Sequence, residues 1–497
     1  MWMFALQVVV ICVLLQVPGC FPSCLIIGSE ANCAFKNLRW VPALPPNITH
    51  LYLGMNRIGE INATSLSGLE ELQELDLGQQ YSLLRIRNNA FTRQRQLKRL
   101  VLVYNVGLQL EPQAFAGLSN LQSLHLDYCS LQESILKEKY LEPLSSLETL
   151  NLFGNKIKKL QPSMYFSNMT HLKNLNLKLN KIDKICESDL VGFQGKHFQV
   201  LNLDSVHLKD MTSESFDWQK CGNPFRGMSF QTLDLSYNGF SVKKSKQFFR
   251  AIKGTKISHL RLSGPMGKGF SFNNLPDPDH STFEGLRSSS VLTLDLSKNK
   301  IFALQPGVFS PFKDVAIIDI SQNRVNQIHR NAFEGLQRHL KMLNLSHNLL
   351  GEIYSHTFAS LTNLKVLDLS YNHIGALGYG SFRGLPKLKA LYLSGNSLRE
   401  LGFPASLPNL DYLQLNDNKL MPSSVNTSPD PVVFRSLSVL DLKMNRFHCD
   451  PNLKNFLTWV KDTNVTFMNP VAELRCEFPS GFYNVPLLDY SAQLTKQ

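Results

Sequence analysis

A chain of 497 residues that is 43% hydrophobic and 18% charged, with only 24 prolines, can bury a large core, which excludes a disordered or collagen-like polypeptide. At about 150 residues per domain this length gives roughly three globular domains unless repeats intervene. Lys and Arg number 51 against 39 Asp and Glu, and the net charge of +12 favours anionic partners or surfaces without selecting one.

Residues 1–20, MWMFALQVVVICVLLQVPGC, hold an apolar run from Met3 to Val17 followed by Pro18, Gly19 and Cys20. This reads as a secretory leader cleaved near Gly19 or Cys20, although it lacks basic residues at its start. The run is shorter than the ~20 residues needed to span a bilayer, and no later stretch has 18 uncharged apolar residues. The expected product has no transmembrane segment and is soluble, secreted and extracellular, in an oxidising compartment. Six Asn-x-Ser/Thr sequons agree with that address: Asn47, Asn62, Asn168, Asn344, Asn426 and Asn464, of which Asn344 fits least well.

After a short cap at 21–47, in which Cys24 and Cys33 bracket a segment and are expected to pair, a phrase LxxLxLxxN recurs from Ile48 almost to the C-terminus. Clear copies are ITHLYLGMN ending at Asn56, LETLNLFGN at Asn155, LKNLNLKLN at Asn180 and LKVLDLSYN at Asn372. Sixteen copies between 48 and 445, with a mean period of about 26 residues, match the leucine-rich repeat pattern. The two leucines of LxL point to one face of a short strand, and the Asn turns inward, where its amide can satisfy backbone groups of neighbouring turns. Twelve copies keep Asn; Gln80 and Cys129 are substitutes, whereas Val206 and Pro265 cannot make an amide bond. An AFxGL-like phrase closes many copies, as at Phe115, Phe283, Phe333, Phe358 and Phe382, and these rings are expected to stack inside the core. The fold class is therefore α/β: a leucine-rich repeat solenoid, or horseshoe, with a parallel concave β-sheet and a disulfide cap at each end.

The C-terminal cap, 446–497, contains Cys449, an amphipathic stretch with Leu453, Phe456, Leu457 and Val460, and Cys476, which should pair with Cys449. Cys129, at a ladder position, reads as a buried free thiol. Cys186 and Cys221 lie outside the strands of the sixth and seventh copies and can bridge adjacent turns. Zinc is the alternative, without CxxC or HExxH spacing to support it.

No catalytic constellation emerges. His125, His207, His259, His347 and His373 sit beside strands and read as solvated flank residues. GPMGKGF at 264–270 lacks phosphate-loop spacing, and DPDHSTFEG from Asp277 lacks the glycine of a calcium loop. The expectation is a protein that is not an enzyme, with no cofactor, no metal and no nucleic-acid partner.

The seventh to tenth copies break rhythm, with spacings of 32 and 34 residues. Extra residues must leave a solenoid as loops, and the longest is SGPMGKGFSFNNLPDPDHSTF, from Ser263 to Phe283. Its glycines, Phe270 with Phe272, and Asp277 with Asp279 offer a binding element; a tolerated insertion is the other reading.

With GQQYSLL, DYCSLQESILKEKYL, DWQKCGNPFRGM and GPMGKGFSFNNLPDPDHSTFEGL in this order, the chain resembles the ectodomain of the flagellin-recognising Toll-like receptors from Pro22 to about Leu398. The resemblance implies bacterial flagellin as partner, bound along a lateral flank and by the ninth-repeat loop. It implies loop contacts from Gly264, Met266, Gly267, Lys268, Gly269, Phe270, Phe272 and Asn273. On the flank it implies Gln80, Tyr81, Tyr104, Tyr128, Lys178, His207 and Tyr237. The chain departs from that family in its repeat count, in Pro451 where a second cap cysteine is expected, and in ending without membrane helix or signalling domain. A secreted variant is the expectation, acting with a membrane-bound Toll-like receptor or a second copy of itself. The alternative is a matrix-type leucine-rich repeat protein that binds collagen or polyanions by its concave face.

Overall fold

A computed structural model describes residues 24–269, 275–377, 380–399, 407–420 and 436–494. The expected leader, the sequon at Asn426 and the loop residues Phe270, Phe272 and Asn273 lie outside the described residues. The chain divides into two compact units, Met1–Asp210 with Pro224–Gln231, and Met211–Asn223 with Thr232–Gln497.

Both units are built from the repeat. In the first, strands Glu30–Asn32, His50–Tyr52, Glu74–Asp76, Arg99–Val101, Ser123–His125, Thr149–Asn151 and Asn174–Asn176 run parallel and in register. His197–Asn202 pairs next to Asn174–Asn176. In the second, the same pairing carries Lys256–Arg261 through Thr293–Asp295, Ile317–Asp319, Met342–Asn344, Val366–Asp368 and Ala390–Tyr392. It continues through Tyr412–Gln414 and Val439–Asp441 to Thr466–Phe467. Alternation decides the faces: Leu124 and Leu126 are fully buried while His125 between them is not, and most repeats follow suit, with Val101, Asp234 and Asp441 buried as well. No described helix is long and apolar enough to cross a membrane.

The asparagines do what their position demands. The Asn180 amide donates to the Leu177 carbonyl of its own turn (2.8 Å) and the Leu152 carbonyl of the preceding one (3.0 Å), and its Oδ1 accepts from the Ile157 amide (3.0 Å). Asn323 repeats the pattern on Ile320, Leu296 and Ile301. Gln80 reaches the same carbonyls, Leu77 and Leu53, with its longer side chain. Cys129 is free and buried; its thiol lies 3.0 Å from the Leu102 carbonyl, and burial pushes its pKa up to about 12, so it stays protonated.

On the far side of the core, the expected rings are buried. Phe309, Phe333 and Phe358 follow one another at 6.0 and 5.9 Å in the second unit, and Phe166 meets Phe193 at 5.3 Å in the first. They are scaffold, each contributing on the order of 2 kcal/mol by burial. The glycine of the AFxGL phrase is sterically required: a Cβ on Gly117 would stand 2.6 Å from Thr92 Cα in the preceding turn.

Both caps form as expected. Cys24 bonds Cys33 across a hairpin of Leu25–Ile27 and Glu30–Asn32, and Cys449 bonds Cys476. Helix Lys454–Asp462 buries Phe456, Leu457 and Val460, and a second helix, Leu487–Leu494, which sequence reading did not anticipate, buries Leu487 and Tyr490. Cys186 and Cys221 are both disulfide-bonded, which removes them as zinc ligands.

The extra residues of the irregular copies do not all leave as loops. Part of the 32-residue spacing forms helix Trp218–Cys221, capped by Asp217, whose carboxylate accepts from the Lys220 amide. The ninth copy carries the larger correction. Pro265 does not occupy a ladder position: the amide that binds the next turn's Asn299 Oδ1 comes from Met266 (2.9 Å), one residue earlier than the register predicts. This turn is one residue short and supplies no ladder amide.

Replacing Asn180 by Leu leaves the buried Leu177 carbonyl and the Ile157 N–H without their partners, at ~1–3 kcal/mol each, while the Leu152 carbonyl keeps its bond from the Asn155 amide at 2.9 Å. Urea unfolding should show a loss of about 2 kcal/mol or more, whereas Cys129→Asn, which restores the amide, should be neutral or stabilising.

Candidate ligand-binding flank

The ladder dictates the conformation of the residue before it. Tyr104, Tyr128, Tyr237 and Tyr371, each directly preceding a ladder position, have φ of 58°, 52°, 56° and 54°. This left-handed backbone costs roughly 1–2 kcal/mol for a non-glycine residue. It is offset because each N–H reaches a carbonyl of the following turn, Tyr104 to Asp127 at 2.8 Å and Tyr237 to Ser263 at 2.7 Å. The side chain is thereby thrown outward: Tyr104 is 53% and Tyr237 45% exposed, and Tyr81, just after its ladder position, is 56% exposed.

In the first unit the turns stack these rings. Tyr104 lies face to face with Tyr128 at 5.0 Å, and Tyr128 meets the edge of Phe153 at 4.8 Å. Gly154 makes this possible, since a Cβ there would fall 2.5 Å from the Tyr128 ring. Lys178 is half-buried and paired with Asp204 at 2.8 Å, and His207 is exposed at φ 76°. The carried-over Gln80 is a correction: it is buried, and its amide is spent on Leu53 and Leu77, so it presents nothing to a ligand.

In the second unit Tyr237 abuts the base of the ninth-copy insert, where Gly264 packs so closely that a Cβ would stand 3.3 Å from Tyr237 Cα. Gly267, at φ 109°, lies against the next turn; a Cβ would meet Ile301 N at 2.8 Å. Lys300 N binds Met266 O (2.8 Å) and Gly269 N binds Lys300 O (2.7 Å), so the insert through Gly269 is laid on its neighbour rather than projecting from it. Met266 is buried, a second correction to the carried-over contacts, whereas Lys268 is exposed. The aspartates are not free acceptors: Asp277 takes the amides of Lys268, Phe302 and Ala303, and Asp279 those of Ser281 and Thr282. The missing ladder residue leaves a small hollow lined by Tyr237, Phe240, Ser245, Gly264 and Met266, in which the buried Ser245 hydroxyl has no protein partner.

A polar chain on the first unit's sheet face escaped sequence reading. Glu74 pairs with Arg99 at 3.2 Å, and Arg99 Nη1 lies 3.0 Å from His125 Nε2, which Ser123 Oγ also approaches at 2.9 Å. His125 is not the solvated flank residue expected of it: burial, with the Arg99 charge adding to it, lowers its pKa to about 4. Register aligns Glu74, Arg99 and Ser123, with His125 two residues further along its strand, so the contact with His125 had no signal in the spacing.

A family profile described as leucine rich repeat matches residues 78–131, 289–350 and 338–398. Bovine lumican is 30% identical over 326 residues, covering 56% of this chain and 89% of that protein. The chain belongs to the leucine-rich repeat family. Within that family it is similar to human Toll-like receptor 5, at 38% identity over 307 residues, or 62% of this chain; it spans 36% of that receptor's length. The solved Toll–Spatzle complex from Drosophila shares the fold, with a TM-score of 0.54 at 17% identity, over 90% of this chain and 59% of that one.

The His125 pKa gives acid sensitivity a defined window. Between about 6.5, the unfolded value, and about 4, the unfolded state takes up a proton that the native state refuses, so stability falls as pH drops across that range. Titration followed by NMR should place the His125 midpoint near 4, and His125→Gln should flatten the pH dependence of the urea midpoint in this window.

Proposed function

We propose that this leucine-rich repeat chain is an extracellular pattern-recognition protein that binds bacterial flagellin through its outward tyrosine flank and the base of the ninth-copy insert. The observation that carries the reading is the 38% identity to Toll-like receptor 5 over 307 residues, together with a flank that exposes Tyr104 and stacks it on the half-buried Tyr128. Rigid aromatic rings lose little entropy on binding and serve as anchors for a protein ligand. In this reading Tyr81, Tyr104, Tyr128, Lys178 and His207 contribute from the first unit. Tyr237, Gly264, Gly267, Lys268 and Gly269 contribute from the second, with Phe270, Phe272 and Asn273 completing the insert. Secretion is part of the proposal, supported by the apolar run from Met3 to Val17, by oxidised cap cysteines, and by sequons of which Asn47, Asn168 and Asn464 are exposed.

A second reading, a matrix-type protein that binds collagen or polyanions by its sheet face, draws on the match along 89% of lumican. The two readings place the ligand on different surfaces.

Calorimetric titration with monomeric flagellin separates them. The single variants Tyr104→Ser and Lys268→Glu should each weaken binding by about tenfold or more, ~1.4 kcal/mol, while the chain stays folded at the assay temperature. Absence of binding by the folded wild-type chain at micromolar concentration, or full affinity in both variants, would overturn the flagellin reading.

A further inference from the structure

Parallel in-register stacking brings residues one period apart into a straight line, and in the second unit it aligns three identical cations. Lys365 N donates to Lys341 O and Lys389 N to Lys365 O, both at 2.8 Å, so the three lysines occupy the same position on consecutive rungs. Strand spacing of ~4.8 Å places their backbones along a line of about 10 Å. All three are exposed, and among the described residues none is ion-paired with a carboxylate. Arg338 and Lys387 extend the basic strip, with Asn363 bonding the Arg338 carbonyl (2.6 Å) and the Lys387 ammonium (2.6 Å). Asp411 ends the row on the next rung, its amide bonded to Lys389 O.

The first unit treats the equivalent position differently. There Lys173 N bonds Glu148 O, and the two side chains form an ion pair at 3.9 Å. Opposite charges on adjacent rungs attract, whereas three like charges repel one another unless an anion lies along them. A repeated Leu-Lys-x-Leu therefore maintains an arrangement that favours an external polyanion.

We propose that Lys341, Lys365 and Lys389 form a docking strip for a linear sulfated polysaccharide of the heparin type, independent of the flagellin reading. Lysine ammonium groups act as point charges that follow a row of sulfates without demanding a fixed orientation. The positions beside them, Met342, Val366 and Ala390, carry no aromatic ring on which a nucleic-acid base could stack. The disulfide-bonded caps belong to an oxidising compartment, where sulfated polysaccharides rather than nucleic acids are the abundant polyanions.

The test is binding of the full chain to a defined heparin oligosaccharide at increasing salt. The triple variant Lys341→Gln/Lys365→Gln/Lys389→Gln is compared with a control that loses the same charge at exposed sites of the other unit, Lys98→Gln/Lys137→Gln/Lys159→Gln. The proposal expects the first triple to lose about tenfold or more in affinity, with a shallower salt dependence, while the control stays within about twofold of wild type. Equal losses in both triples would reduce the effect to net charge and overturn the strip. Equal binding of desulfated heparin, or of a single-stranded oligonucleotide of matched charge, would overturn the ligand class.

Discussion

One side-chain amide per turn organises this molecule. A ladder asparagine such as Asn180 ties its own turn to the one before it and accepts an amide from it, so turns whose described residues form only short helices and strands still satisfy their buried backbone polar groups. The constraint passes directly to the surface. Because the asparagine must point inward, the preceding residue is driven into the left-handed region and its side chain outward, which leaves Tyr104 and Tyr237 exposed and Tyr128 half-buried at the surface. The same translation from turn to turn aligns Lys341, Lys365 and Lys389. Scaffold and the rows of exposed side chains are two consequences of one hydrogen-bond pattern.

The ninth copy shows what happens when that pattern lapses. With no amide to insert, the turn shortens by one residue, Met266 takes over the backbone bond to Asn299, and glycines at 264 and 267 let the chain lie flat on its neighbours. A hollow remains beside Tyr237 where a ladder side chain would sit. The lapse falls in the stretch that bears the insert, and of the two aspartates that looked like ligands for a partner, Asp277 pins the insert to the following turn while Asp279 closes its own turn on Ser281 and Thr282.

The repeat, its inward leucines and asparagines, the buried phenylalanines and both cap disulfides were legible in the sequence because each follows from periodicity or from cysteine spacing. Exposure before the ladder position was legible for the same reason. For Gln80 the register and the resemblance disagreed: the register put it in the ladder, the resemblance on the flank, and its amide reaches the carbonyls that an asparagine would bind. The one-residue slip at Pro265 was hidden because the leucines on either side keep their phase. The Glu74–Arg99–His125 chain depends on which side chains meet across rungs, which single-sequence spacing does not specify.

The central claim is that ligand binding uses the outward flank rather than the sheet face. Hydrogen exchange with and without saturating monomeric flagellin tests it most directly. The account predicts slowed exchange in peptides covering 103–107, 127–131 and 263–269, with strands Ile317–Asp319 and Val366–Asp368 unchanged. Slowed exchange confined to those strands, with none in the flank peptides, would contradict it.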